Sequence, residues 1–186
     1  MIAVTGLRSG TSLIMQTLKL LEFPIVGYKF HDDFSHKELN PKGYYSLPGR
    51  ETVYGLKTHY KGKAVKLGGA ELFQTNHDFV KKIIVCERDR HQTVNSIVKL
   101  LKADYDIAEI EPTVENAELV FDININFQER AIRKFNKPII RIRYEDITTN
   151  PEVSIKKIKE FLGLRSNINN AILNINTGKT LCQSLL

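Results

Sequence analysis

Seven residues near the start of the chain, Gly6-Leu7-Arg8-Ser9-Gly10-Thr11-Ser12, bring together the groups that hold an oxyanion. The glycines let backbone amides turn inward, Thr11 and Ser12 add hydroxyl donors, and Arg8 adds a planar cation suited to phosphate or sulfonate oxygens. A Walker A loop, G-x-x-x-x-G-K-[ST], is a poor match, since three residues separate Gly6 from Gly10 and no lysine follows. Gly-Lys-Thr does occur at 178–180, but no strand precedes it and Leu173 stands where the first glycine belongs, so it reads as coincidence. A plain glycine-containing turn is the bland alternative for residues 6–12. Position, hydroxyls and arginine together favour anion binding.

Arg88, in the run Cys86-Glu87-Arg88-Asp89-Arg90-His91-Gln92-Thr93, is a second cation where a strand is expected to end. There it can meet a phosphate, and Ser96, close to Gln92 and Thr93 on the next helix, can donate to the same oxygens. The competing reading is a surface pair of Arg88 with Glu87 or Asp89. His31, Asp32, Asp33 and His36 cluster without a zinc-type spacing and without cysteines, so no metal is expected. Glu145 and Asp146, between a strand and a helix, read as local hydrogen-bonding groups.

The elements that position these residues follow from apolar periodicity. Residues 1–5 form an apolar run, and Leu13, Ile14, Leu18 and Leu21 then recur at helical spacing, which makes residues 6–12 a strand-to-helix loop. Residues 62–67 and 81–86 read as buried strands, His91 to Leu101 as a helix, 112–135 as mostly helical, and 137–144 as a strand. Asn150-Pro151 predicts a helix start with a capping asparagine side chain, and Gly163 its end. Residues 28–50, rich in Asp, His, Asn, Pro, Gly and Tyr, read as a long loop over a site. Alternating strands and helices imply an α/β fold of three layers, a mainly parallel central sheet flanked by helices, with ligands at the carboxyl ends of the strands.

The composition, 42% hydrophobic and 26% charged over 186 residues, fits one globular domain spanning 1–186, with a lid-like excursion at 28–60 and a helical tail at 165–186. A net charge of +6 favours an anionic partner. The basic residues are spread along the chain instead of forming a stripe with aromatics, which argues against nucleic acid. Cys86 and Cys182 lie far apart and Cys86 sits in an apolar run, so a disulfide is not expected and the compartment reads as reducing. Gln16, Lys19 and Glu22 interrupt Leu13 to Val26, so that stretch is neither signal peptide nor membrane span. The expectation is a soluble cytoplasmic protein with no membrane partner.

Arg8-Ser9-Gly10-Thr11-Ser12 after the first strand resembles the 5′-phosphosulfate loop of the P-loop sulfotransferases. Arg88 with Ser96 eight positions later resembles their 3′-phosphate site. Tyr144-Glu145-Asp146-Ile147, followed by Asn-Pro and a helix closing in Phe-Leu-Gly-Leu at 161–164, is similar to their Tyr-Glu-Asp-Leu segment and Phe-Leu-Gly helix, and Asn-Pro-Lys-Gly-Tyr-Tyr at 40–45 resembles short bacterial members. The likeness runs over roughly residues 2–164. It implies 3′-phosphoadenosine-5′-phosphosulfate (PAPS) as donor, adenosine 3′,5′-bisphosphate (PAP) as product, a hydroxyl or amine of a small-molecule or glycan acceptor, and no metal.

The same likeness makes Arg8 the first candidate to neutralise the transferring group, with Arg8, Ser9, Gly10, Thr11, Ser12, Arg88 and Ser96 binding the nucleotide. For a further catalytic group it offers two assignments. Leu-Lys-Thr-His-Tyr at 56–60 resembles a Lys-Thr-His signature, which makes Lys57 and His59 catalytic; alternatively residues 62–67 are the strand carrying that signature, so Lys66 faces the sulfonate and Gly68 takes the histidine's place. Two departures stand out. Arg90 replaces a customary proline, and the usual C-terminal Arg-Lys-Gly loop is not evident at Asn176-Thr177-Gly178-Lys179. Against the transferase stand a nucleotide or small-molecule kinase, which lacks its lysine beside Thr11, and a nucleotide-binding protein without transfer activity.

Overall fold

The computed structural model describes residues 1–30, 40–47, 60–103 and 109–175. Five parallel strands form one sheet in the order β2-β3-β1-β4-β5: β1 Ile2–Thr5, β2 Ile25–Val26, β3 Ala64–Leu67, β4 Lys82–Glu87 and β5 Ile139–Arg143. The helices are α1 Thr11–Leu20, α2 Gly69–Gln74, α3 Arg90–Ala103, α4 Val114–Phe135, α5 Tyr144–Thr149 and α6 Pro151–Leu162, with a 3-10 turn at His77–Phe79. The expected three-layer arrangement is present, built by side-chain alternation along the strands. Ile2 and Val4 of β1 with Ile84 and Cys86 of β4 face α1 and α6, whereas Ala3, Val65, Ile83 and Val85 face the opposite layer, which includes Ala131, Ile132 and Phe135 of α4. Central strands covered on both sides have no solvent face. Their sequences therefore read as continuous apolar runs.

One expectation needs correction. Asn150 precedes Pro151 at the start of α6, but its side chain makes no capping bond. The residue also closes α5, donating its N–H to Asp146 O at 2.8 Å, and φ −131°, ψ 75° serve that closure. The described part of the expected loop, residues 28–30 and 40–47, is irregular chain with a bridge between Tyr28 and Ser46, and it is packed: Tyr44, Tyr45 and Leu47 are buried, and Gln16 Nε2 donates to Gly43 O at 2.9 Å. Two adjacent tyrosines carry enough apolar area to pull this polar segment into the core. Finally β2, α2 and α5 have no counterpart in the periodicity reading, since two to six residues are too short to show a period.

The remaining part of 28–60, residues 31–39 and 48–59, lies outside the described residues, as do 104–108 and 176–186; residues 169–175 are helical. Among the described residues no helix is long and apolar enough to cross a membrane. Cys86 is a buried free thiol, and burial pushes its pKa up.

Candidate functional site

The register of β1 sets Thr5 beside Leu67 of β3 and Val85 of β4, so the loops leaving all three strands meet at one sheet edge. Gly6 turns the chain out of β1 at φ +136°; a Cβ there would lie 2.3 Å from Ser9 Oγ and 2.5 Å from Cys86 O, a backbone atom that cannot step aside. Gly10 is the N-cap of α1 at φ +94° and offers no side-chain cap, leaving the first-turn N–H groups of α1 directed at the loop. Ser9 Oγ is buried without a hydrogen-bond partner. Arg8 itself holds φ +52°, a conformation uncommon outside glycine, asparagine and aspartate. Orphan amides, an orphan buried hydroxyl and a strained backbone in one loop make a cradle for an oxyanion.

A Cβ on Gly10 would press the Tyr144 ring at 2.7 Å. Gly10→Ala is therefore expected to destabilise the fold by roughly 1–3 kcal/mol, through positive-φ strain and displacement of Tyr144. Thermal denaturation of the purified variant checks this, and an unchanged midpoint would remove the close approach.

The cations gather around this loop. Arg8 Nε donates to Ser96 Oγ at 2.9 Å, which ties residues 6–12 to α3. Lys66, at the end of β3, donates through Nζ to Ser12 Oγ at 3.0 Å and to Tyr44 O at 3.4 Å, and lies 5.6 Å from the Tyr44 ring centroid. Burial above all, then the charge of Arg8, lowers the Lys66 pKa to about 8, while Glu71 acts in the opposite direction. Glu71 Oε2 accepts from Gly68 N at 2.6 Å, so its carboxylate stands at the same sheet edge.

Arg88 is held by neighbours other than Glu87 and Asp89. Its guanidinium stacks 4.5 Å from the Tyr144 centroid and its Nε donates to Gln92 Oε1 at 3.2 Å. The adjacent carboxylates are used elsewhere: Glu87 binds Arg141 at 2.7 Å, and Asp89 accepts from Gln92 N at 3.0 Å. Glu145 Oε1 accepts from Asp89 N at 2.9 Å, holding the turn after β4 against α5, a structural bond but one between residues 56 apart in sequence where a local one was expected. Arg90 points away, held by Asp122 through two bonds of 2.6 and 3.1 Å, so the residue in the proline's place anchors α3 to α4.

Arg8, Ser9, Gly10, Thr11, Ser12, Lys66, Arg88 and Ser96 thus lie around one edge. His59 and Lys57 lie outside the described residues, as does the cluster from His31 to His36. Among the described residues no group of three or more His, Cys, Asp or Glu could hold a metal ion. Sequence reasoning missed Tyr44 and Glu71 as neighbours of Lys66 and Tyr144 as the platform for Arg88; Tyr144 stood in a quoted motif, but nothing in spacing shows a ring under a guanidinium. A cavity of about 340 Å³ opens beside the loop, lined among others by Leu7, Ser9, Arg88, Phe121, Ile125 and Arg143.

A parallel sheet with an oxyanion loop after β1 and an arginine-serine pair after β4 defines a phosphate- or sulfonate-handling α/β domain. The chain belongs to the sulfotransferase domain family, whose description matches residues 1–180. Solved structures with the same fold include retinol dehydratase in complex with androsterone and inactive cofactor PAP (TM-score 0.56, 16% identity), covering 96% of this chain and 64% of that one. Mouse sulfotransferase SULT7A1 complexed with PAP matches with TM-score 0.54 and 17% identity over 94% of this chain and 61% of that one. Retinol dehydratase in a complex with retinol and PAP matches with TM-score 0.51 and 16% identity over 100% and 64%. The chain thus spans less than two thirds of the length of these structures. No curated protein matches the sequence significantly.

Proposed function

We propose that this chain transfers a sulfuryl group from PAPS to a hydroxyl or amine of a small-molecule or glycan acceptor, working as a single domain in the reducing cytoplasm. The observation that supports it most is the 2.9 Å bond from Arg8 to Ser96, which places the loop's cation and the serine of the α3 site within one constellation. A nucleotide with an anion at each end of its ribose needs two such neighbouring sites. The fit is supported by this chain's own atoms: orphan α1 amides and the unpaired Ser9 Oγ for one end, Arg88 and Ser96 for the other. Its neighbours in fold carry PAP in their crystals, and the family supplies the reaction class.

When bound, PAPS supplies the sulfuryl group and a bisphosphate leaving group. The chain's residues then have defined tasks. Residues 8–12 hold the 5′ end with backbone amides, hydroxyls and the Arg8 fork, and neutralise charge growing on the leaving oxygen. Arg88, kept planar on Tyr144, grips the 3′-phosphate with Ser96. Lys66 takes the reaction-centre place in preference to His59, because its ammonium already meets Ser12. Protonated Lys66 cannot take the acceptor's proton, and Glu71 is the carboxylate at that edge whose charge acts on Lys66. Water access falls where Tyr44 covers Lys66.

Calorimetric titration of the purified chain with PAP, beside ATP and 5′-AMP, tests the reading. Selective binding of PAP is expected, weakening as pH rises through about 8, where buried Lys66 loses its charge. The sign follows from the folded pKa lying below that of a free lysine: the cation predominates at neutral pH and is largely lost by pH 9 to 10. Preference for ATP would favour the kinase, and no binding would leave a sulfotransferase fold without its donor.

A further inference from the structure

The net charge of +6 does not sit at the edge that carries Arg8 and Arg88. There Arg90, Arg141 and Arg143 are met by carboxylates, of Asp122, of Glu87 and Glu129, and of Glu145. The surplus lies at the opposite, amino end of the sheet, in the turns 60–63, 76–82 and 133–138 that lead into β3, β4 and β5. Lys61 and Lys63 precede β3, Lys81 and Lys82 open β4, and Arg133, Lys134 and Lys137 fall between the last turn of α4 and β5. Asp78, 3.3 Å from His77, is the one carboxylate in these turns. Seven cations against one carboxylate leave a surplus of six, which is the net charge of the whole chain.

Strand register makes this end level. Ile2 N donates to Lys63 O at 2.8 Å, Lys81 N to Met1 O at 2.9 Å and Ile83 N to Pro138 O at 3.0 Å, so Lys63, Lys81 and Lys137 leave the sheet from one row. At the usual strand spacing that row is about 14 Å long. The rings of His77 and Phe135 lie 6.4 Å apart, which brings the end of α4, with Arg133 and Lys134, against the turn before β4. Lys82 donates to Phe161 O, and Lys134 lies 5.6 Å over the Phe73 ring. Lys61, Lys63, Lys81, Arg133 and Lys137 make no ion pair among the described residues. Lys61, Lys81, Arg133 and Lys134 are exposed.

We propose that the amino end of the sheet docks on an anionic phospholipid surface, with the edge that carries Arg8 and Arg88 turned to water on the far side. Six of the seven cations are lysines, hydrated point charges on flexible stems, whereas fork-like recognition of single phosphates uses arginine. A level row of such charges complements a planar array of anionic headgroups, which attracts each nearby lysine through its field. A nucleic-acid strand calls for rings on which bases stack. The aromatic residues of these turns do not offer them, since Tyr60 and Phe135 are buried and Phe79 is packed against the core. Contact of this kind needs no spanning segment. The length of the strands separates it from the oxyanion loop, so it is independent of donor binding.

Cosedimentation of the full chain with phosphatidylcholine vesicles, with and without about 30 mol% phosphatidylserine, tests this. Binding is expected only to the phosphatidylserine vesicles at about 0.1 M salt, and is expected to be lost at about 0.5 M. The double variant Lys61→Gln/Lys81→Gln, on exposed positions, should weaken it about 25-fold, at about fivefold for each lysine. Lys99→Gln/Lys102→Gln removes the same charge from α3, whose end packs through Leu101 against Ala117 at the other end of α4. Its loss should stay below about threefold. Far-ultraviolet circular dichroism confirms the fold of both variants. Absence of phosphatidylserine-dependent binding overturns the proposal, as do equal losses in the two double variants. Tighter binding to a short DNA duplex than to the vesicles at the same salt overturns it too, and assigns the face to nucleic acid.

Discussion

Replacing Arg88 with alanine is expected to weaken binding of adenosine 3′,5′-bisphosphate about 10- to 100-fold while leaving 5′-AMP nearly unaffected. A charge-assisted contact to phosphate carries roughly 1.5–3 kcal/mol, and each 1.4 kcal/mol is a factor of ten. Arg88 is prepared for that contact by its surroundings: Tyr144 supports the flat face of the guanidinium at 4.5 Å, and the neighbouring Glu87 and Asp89 are engaged by Arg141 and the start of α3. Arg88→Lys should recover only part of the affinity, because a point charge on a flexible stem loses both the fork and the stack. Calorimetry on the two ligands decides the matter. Equal losses for bisphosphate and monophosphate would remove Arg88 from the 3′ site.

How much of this was legible beforehand depends on whether the information was local. The oxyanion loop was readable because strand, glycines, hydroxyls and helix follow each other within residues 1–21. The α/β alternation was readable for the same reason, each central strand being a short apolar run. Lys66 beside Ser12 was not readable from spacing, because that contact spans 54 residues and depends on β3 lying next to β1. Strand order is a property of the whole sheet, and periodicity within one segment carries no information about it. The Arg8 to Ser96 bond is longer still, 88 residues apart in sequence. The two halves could be named separately, but their junction could not. Asn150 shows the opposite failure: the local motif was right for starting α6, yet the preceding α5 claimed the same residue for its own end.

Arg8→Ala is expected to slow sulfuryl transfer roughly 100- to 1,000-fold, with a smaller change in bisphosphate affinity. Loss of a preorganised cation aimed at developing charge acts on the transition state more than on the ground state, so turnover should fall further than binding. The backbone does not confound the comparison. Arg8 already holds φ +52°, and alanine there bears the same kind of strain as arginine. Loss of the bond to Ser96 does need separating from loss of charge, and Ser96→Ala does so, since it removes that bond and leaves the Arg8 cation in place. If charge neutralisation is the task, Ser96→Ala retains much of the turnover and Arg8→Lys recovers a large part of it. If Arg8 serves only to tie the loop to α3, Ser96→Ala and Arg8→Ala should be equally slow. Release of adenosine 3′,5′-bisphosphate at saturating PAPS measures all three, and an Arg8→Ala protein with unchanged turnover would place the chemistry on Lys66 instead.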